Sequence, residues 1–226
     1  MRETFSTPEI TPTMRNYLAD IYRLGQGVSW VSTTRLADTL DVSPPAAVRM
    51  AKRLSEVGLL EHQPYQGVKL TENGQREALL GIRRHRLVER FLVDVLGFGW
   101  HEVHDESDIL QGGVTQRIED RIDEILGHPT RCPHGEPIPT RDGVMPEIDD
   151  LPLNVIPPGT QGRISRVKTH DPHKLQYLAE LNLTPGTTYT LIGRQPFDGP
   201  IRLLIGGRTE QVIGRELAET IWVTRD

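Results

Sequence analysis

From residue 14 to residue 24 the chain reads MRNYLADIYRL, and Met14, Tyr17, Leu18, Ile21, Tyr22 and Leu24 recur at helical spacing. One stripe of such a segment faces a core, so the pattern predicts an amphipathic helix. After GQGVSWVS the period returns in TTRLADTLDV, with Leu36, Ala37 and Leu40 on one face. A break at SPP separates this run from AAVRMAKRLSEVGLL, which predicts two short helices joined by a tight turn. Ser43 suits the N-cap, Pro44 and Pro45 fit a first turn in which a missing N–H costs little, and Gly58 supplies the stop. The period then changes. Leu59 and Leu60, a polar Pro/Gly tip at 64–67, and Val68 alternating with Leu70 predict a β-hairpin.

Helix, helix, turn, helix, hairpin is the order of a winged helix-turn-helix module. Its second helix presents N-terminal residues to base edges in the major groove, which here nominates Pro45, Ala46 and Arg49, with Val48 beside them. Arg49 can meet guanine O6 and N7 as a fork, whereas Ala46 can meet only a thymine methyl or read shape. Ser43, Lys52, Arg53 and the wing residue Lys69 suit the phosphate backbone. Winged helices also dock proteins, so order alone leaves that alternative open.

Two longer helical patterns follow, 71–96 opened by Thr71 or Asn73, and 101–126. The second carries the stripe Ile109, Leu110, Val114, Ile118, Ile122 and Ile125, a candidate seam for a symmetric dimer or for burial within the chain. Gly112 and Gly113 interrupt it, and a close helix approach is expected to compensate for them. Residues 127–158 are Pro-rich and read as an ordered loop and then a linker. The last stretch has short β-like runs around one helical insert, HKLQYLAELNL, and predicts a small SH3-type β-barrel. The expected fold is α+β, mainly α. Its parts are a winged helix-turn-helix domain at 1–72, a helical metal-binding and dimerisation domain at 73–145, a linker at 146–158, and an SH3-like β-barrel at 159–226.

Composition narrows the chemistry. The 226 residues include one cysteine, Cys132, which excludes an internal disulfide and a thiolate zinc cluster. No run approaches the roughly 18 apolar residues of a membrane span. The opening MRETFSTPEITPTM lacks the apolar core of a secretory signal, so a cytoplasmic location is expected. The net charge of −5 does not advertise nucleic-acid binding, but it is unevenly spread: RMAKR at 49–53 and RRHRLVER at 83–90 are basic, and 102–124 is acidic.

His85 and Glu89 stand four apart on a predicted helix and share a face. After the turn LGFGW, His104 and Asp108 repeat that relation, with Asp105 and Glu106 beside them. Two antiparallel helices would gather His85, Glu89 and His104 into a mixed nitrogen and oxygen site for Mn²⁺ or Fe²⁺, which zinc or nickel would also enter. A lone His/Glu pair is common on solvated helices, and the second His-rich turn raises it above that background. Cys132 and His134 supply at most two ligands and read as loop packing. A catalytic metal would also use such a set. No nucleophile motif, phosphate loop or HExxH segment accompanies it, so a regulator is expected rather than an enzyme, with a metallohydrolase as the alternative from another class.

RRHRLVERFL, VHDESD and CPHGEPIP, in the order winged helix, helical domain, SH3-like domain, resemble the diphtheria toxin repressor family of metal-dependent transcriptional regulators, including its manganese-responsive members. The resemblance spans essentially the whole chain. It implies a homodimer that binds operator DNA when Mn²⁺ or Fe²⁺ is bound, usually repressing metal uptake genes, with no membrane or small organic substrate as partner. It places His85, Glu89 and His104 where the family's helical ligands stand, and in RVKTHDPHK it nominates His170, Asp171 and His173 as additions from the SH3-like domain. The family's other site falls on Asn16, Asp108, Gln111 and Gly112. Only Asp108 is a strong ligand there, Asn16 and Gln111 offer amide oxygens, and Gly112 has no side chain. An oxygen-rich set moves the expectation toward manganese over an iron-dependent repressor, and a metal-dependent activator of efflux is a further possibility.

Overall fold

The computed structural model describes residues 10–226, and the reading of the opening residues 1–9 lies outside them. The chain forms two compact units. One holds residues up to His85 together with Pro139–Met145, and the other holds Arg86–Ile138 and Pro146–Asp226.

In the first unit α1 (Pro12–Leu24), α2 (Thr33–Thr39) and α3 (Pro44–Glu56) precede a hairpin of β1 (Leu60–Gln63) and β2 (Gly67–Leu70). The hydroxyls of Thr11 and Ser32 cap α1 and α2, each satisfying an N–H that has no partner within its helix. Ser43 occupies the N-cap of α3, but its hydroxyl makes no capping bond. The N–H groups a cap would take are partly removed by Pro44 and Pro45, and the Ser43 carbonyl accepts from Ala46 and Ala47 instead. The core joins Met14, Leu18 and Ile21 of α1 to Leu36, Ala51, Leu54, Leu60 and Val68. Each fully buried Leu contributes about 1.5–3 kcal/mol. The hairpin is in register from Leu60↔Leu70 to Gln63↔Gly67, and Val31 bridges Val68 as a rudimentary third strand.

Helix α4 (Glu72–Asp94) is opened by Thr71, whose hydroxyl accepts from the Gly74 N–H and donates to the Gly58 carbonyl. At Gly74 a side chain is excluded, because a Cβ would lie 1.9 Å from the Leu59 carbonyl oxygen. Gly97, with φ of 77°, ends the run in the left-handed conformation while the Phe98 N–H returns to the Leu92 carbonyl.

The second unit continues α4 from Arg86. The expected single helix over 101–126 is instead α5 (Val103–Leu110), a 3₁₀ turn (Gln111–Gly113), and α6 (Gln116–Ile125). Val114 is extended and Thr115 caps α6, so the glycines mark a break and not a tolerated interior. No close helix approach explains Gly113, where a Cβ would meet nothing within 4 Å. The anticipated stripe divides accordingly: Ile122 is buried with Leu87 and Ile138, while Ile109, Leu110, Ile118 and Ile125 face solvent.

The remaining elements are β3 (Leu151–Pro152), a 3₁₀ turn (Leu153–Val155), β4 (Gln161–Val167), α7 (Pro172–Glu180), β5 (Thr188–Arg194), β6 (Ile201–Ile205), β7 (Thr209–Ile213), α8 (Arg215–Thr220) and β8 (Ile221–Arg225). The strands form one antiparallel sheet in the order β3-β8-β4-β5-β6-β7. The hydrogen-bonded order among the described residues is open, with β3 and β7 at its ends, and so does not show the closed barrel expected. Within the stretch anticipated as a linker, Leu151–Pro152 are sheet, and Leu153 and Ile156 are buried in the sheet's core.

Candidate metal centre

His85 and Glu89 occupy successive turns of α4 and both are buried, at 4% and 1% exposure. A buried carboxylate is costly unless a partner compensates for its lost hydration. His104, in the first turn of α5, approaches it with Nδ1 3.5 Å from Glu89 Oε1. The turn before α5 is fixed by Glu102, whose carboxylate accepts from the Gly99 N–H at 2.8 Å. His85, Glu89 and His104 each offer a ligand atom, and these lie within 4.8 Å of one another.

The loop after α6 brings a second set to the same carboxylate. Arg131 bridges Pro137, the Cys132 N–H donates to the Glu136 carbonyl, and the Gly135 N–H returns to the Cys132 carbonyl. Gly135 has φ of 82° and lies so close to β4 that a Cβ would sit 2.2 Å from the Ser165 carbonyl oxygen. This tight turn aims Cys132 and His134, both buried, at Glu89. His134 Nε2 is 2.8 Å from the Trp100 carbonyl oxygen, which can only accept, so Nε2 carries the hydrogen. Nδ1 then lies 3.6 Å from Glu89 Oε1 and 3.9 Å from Cys132 Sγ, and a metal ion among the three atoms would bind all of them. A histidine held by a backbone carbonyl on its far nitrogen is the usual support of a metal ligand. Glu89, Cys132 and His134 form a second group whose ligand atoms lie within 4.8 Å of one another, and Glu89 belongs to both.

Burial above all, and then the charge of Glu89, pushes the Cys132 thiol well above its ordinary pKa. A coordinated divalent ion reverses that balance and takes the thiolate. The site therefore fits a metal ion, and its donors are imidazole nitrogen, carboxylate oxygen and thiol sulfur.

The other expected ligands take different positions. The ring of His170 stacks on that of His104, with centroids 3.9 Å apart, and stands edge-on to His134 at 6.1 Å. Asp171 is the N-cap of α7, its Oδ1 accepting from the N–H groups of His173 and Lys174. Asp108 lies 3.9 Å from His104 Nε2 on the side away from Glu89, and the Gln111 amide donates to it at 2.8 Å. Glu106 is exposed and outside both groups, and Asn16 is exposed on α1 in the first unit. Cys132 and His134, read from sequence as loop packing, are brought to Glu89. Their own spacing gives two donors, and the third comes from a distant helix that only the fold supplies.

In the first unit Ser43, Pro45, Arg49, Lys52 and Arg53 are exposed, on or just before α3, with Ala46 half-buried. Lys69 stands opposite Glu61 on the hairpin.

Three family models match consecutive parts of the chain: iron dependent repressor, N-terminal DNA binding domain, at residues 9–68; iron dependent repressor, metal binding and dimerisation domain, at 71–140; and FeoA domain, at 151–225. The iron-dependent repressor IdeR of Mycobacterium tuberculosis (strain ATCC 25618 / H37Rv) is 30% identical over 229 residues, covering 96% of this chain and 99% of the relative. The diphtheria toxin repressor of Corynebacterium diphtheriae is 27% identical, covering 94% and 97%. A solved manganese-dependent transcriptional repressor in complex with manganese is 36% identical with a TM-score of 0.87, covering 94% of this chain and 100% of that one. ScaR with bound Cd²⁺ is 30% identical with a TM-score of 0.79, covering 94% and 99%.

Proposed function

The chain belongs to the diphtheria toxin repressor family of metal-dependent transcriptional repressors, and we propose that Glu89, with Cys132 and His134 on one side and His85 and His104 on the other, holds the ion that controls it. The observation that carries this reading is the orientation of His134, whose Nε2 is committed to the Trp100 carbonyl while Nδ1 faces the Glu89 carboxylate. When bound, the ion would supply positive charge beside the buried Glu89 carboxylate. An ion bound more tightly by the DNA-competent state than by the other biases the protein toward it.

Manganese is the ion we favour, supported by the manganese-bound repressor of similar fold. Iron is the second reading. It is favoured by the soft sulfur of Cys132 and by the named function of the IdeR relatives. The oxygen-rich set built on Asn16, Asp108 and Gln111 supplies less support, since Asp108 and Gln111 are hydrogen-bonded to each other.

The DNA partner is double-stranded operator, with Pro45, Ala46 and Arg49 at base edges and Ser43, Lys52, Arg53 and Lys69 on phosphates. The free hydroxyl of Ser43 suits that role. The exposed Ile109, Leu110, Ile118 and Ile125 offer an apolar surface for a homodimer, in agreement with the dimerisation-domain match. We divide these duties as DNA reading at 1–72, metal binding and dimerisation at 73–145, and an SH3-like domain that begins at Leu151, inside the stretch expected as a linker. The described residues contain no helix long and apolar enough to cross a membrane.

The test is DNA binding to a fragment carrying the protein's own footprinted site, with and without Mn²⁺ or Fe²⁺. Glu89→Ala is expected to abolish the metal dependence while leaving helix content intact. Unchanged metal-dependent binding by that variant would sink the assignment, and metal-dependent ester or phosphoester turnover by the wild type would favour a hydrolase.

A further inference from the structure

Glu136 lies in the turn that carries Cys132 and His134, and its two oxygens are taken by two different elements. Oε2 accepts from Arg86 Nη2 at 2.8 Å, and Arg86 stands three residues before Glu89 on α4. A second Arg86 nitrogen donates to the Pro137 carbonyl, so α4 grips the turn at two points. Oε1 faces Arg166 Nη1 on β4 at 3.5 Å. Arg166 is anchored in turn, with Nη2 2.9 Å from Asp150 Oδ1, and Asp150 accepts the Ser165 hydroxyl at 2.7 Å. The main chain adds a rung, as the Val167 N–H donates to the His134 carbonyl at 2.8 Å. Helix and sheet thus hold opposite sides of a turn whose side chains reach inward to Glu89.

These charges are largely out of water, with side-chain exposures of 12% for Arg86, 17% for Glu136 and 13% for Arg166. A buried ion pair is poor value as a stabiliser, because desolvation offsets much of its attraction, and its attested use is to fix one arrangement among several. Glu136 also screens two guanidinium groups from each other. Without it both remain close to the same point, and their repulsion pushes the α4 side and the β4 side of the turn apart.

Resting on the reading of Glu89, Cys132 and His134 as ion donors, we propose that Glu136 is a positioning residue: it sets the reach of Cys132 and His134 toward Glu89 and ties that reach to β4 of the FeoA domain. Glu136 touches no ion itself. Its effect passes through the turn, so it acts on the strength and sulfur character of metal binding more than on folding.

Cobalt(II) titration of the full-length protein tests this, because thiolate-to-cobalt charge transfer reports Cys132, the chain's one cysteine. Glu136→Ala is expected to weaken Co²⁺ binding by about 10–100-fold, the usual cost of losing a residue that orients a ligand, and to lower the charge-transfer intensity per bound ion. Glu136→Gln, which keeps the shape and one acceptor, is expected to fall between. A Glu136→Ala protein with shifted urea unfolding but unchanged Co²⁺ affinity and spectrum overturns the proposal and leaves Glu136 merely structural. If Glu136→Ala does not fold, Glu136→Gln and Arg166→Lys carry the same comparison. Cys132→Ala separates the two levels: if it binds Co²⁺ with the wild-type spectrum, the site reading itself has failed. If it removes the charge-transfer band while the Glu136 variants do not disturb that band or the affinity, only the positioning role has failed.

Discussion

His104 Nδ1 stands 3.5 Å from Glu89 Oε1, so the first turn of α5 is docked onto the buried face of α4 through a ligand-type pair and not through apolar packing alone. Glu89 is the residue on which both donor groups converge. Glu89→Ala is therefore expected to reduce Mn²⁺ affinity more than either His85→Ala or Cys132→Ala, and beyond the about 10–100-fold typical of a supporting residue. In the metal-free protein the same change takes a partner from the buried groups around Glu89 and leaves a cavity, so thermal stability is expected to fall. Isothermal titration and melting curves on the three variants decide this, and equal losses from all three would contradict the shared role.

The Cys132 thiol gives the metal-free protein a pH signature. Burial and then Glu89 hold its folded pKa well above the unfolded value, so the native state keeps a proton that the unfolded chain releases. Stability from this group is full below the unfolded thiol pKa and is lost as pH rises from there toward the folded pKa, at up to about 1.4 kcal/mol per pH unit. Tyr189, pushed up to about 12 chiefly by burial, adds a similar loss at still higher pH. Urea unfolding of metal-free wild type and Cys132→Ala across pH 8 to 10 is expected to show a shallower decline in the variant. Parallel declines would mean that the thiol ionises as freely in the native state as in the unfolded chain.

Gly135 is the residue on which the close approach of the turn to β4 depends. Gly135→Ala adds a Cβ 2.2 Å from a backbone oxygen and places it on a residue with positive φ, so neither a rotamer change nor a small shift relieves it. A destabilisation of more than about 1 kcal/mol is expected from the incompatible backbone alone, with weaker metal binding as the turn moves. The alanine variant unfolding at the wild-type urea midpoint would show that the turn is looser than its geometry implies.

Arg49 and Lys52 are expected to behave differently toward DNA. Arg49→Ala is predicted to cost about 1–3 kcal/mol and to relax discrimination at one base position, as befits a fork to guanine. Lys52→Ala is predicted to weaken specific and non-specific DNA about equally and to lower the salt slope by about 1, as befits a phosphate contact. Fluorescence anisotropy at several salt concentrations separates them. Metal affinity measured without DNA is expected to stay at the wild-type value in both variants.

What the chain discloses before folding depends on whether its signal is local. The N-terminal module is legible because prolines and periodicity agree over each short element, and Thr71 opens α4 where its context puts it, although Ser43, the expected cap of α3, makes no capping bond. His85 and Glu89 are legible because i, i+4 on one helix is itself a spatial statement. The break at Gly112 and Gly113 is hidden because an apolar repeat continues in register across a break of a few residues, and the extended backbone at Val114 leaves no trace in it. The approach of Cys132 and His134 to Glu89 is hidden for a different reason. Two donors in a proline-rich turn gain meaning only from a third on α4, and that proximity is set by backbone bonds to β4 and by a salt bridge to Arg86. Barrel closure is not legible because short strands of even spacing specify neighbours and not whether the two ends of a sheet meet.

His134 is held twice, its ring by the Trp100 carbonyl and its own carbonyl by the Val167 N–H. Only the first hold involves the imidazole. The second belongs to the main chain and survives any exchange of side chain at that position, as do the backbone bonds of Cys132. The turn is therefore a socket whose main-chain shape is kept by the sheet, independently of the side chains at 132 and 134. Single substitutions at 132 or 134 are expected to change the donor chemistry facing Glu89 without refolding the scaffold that presents it.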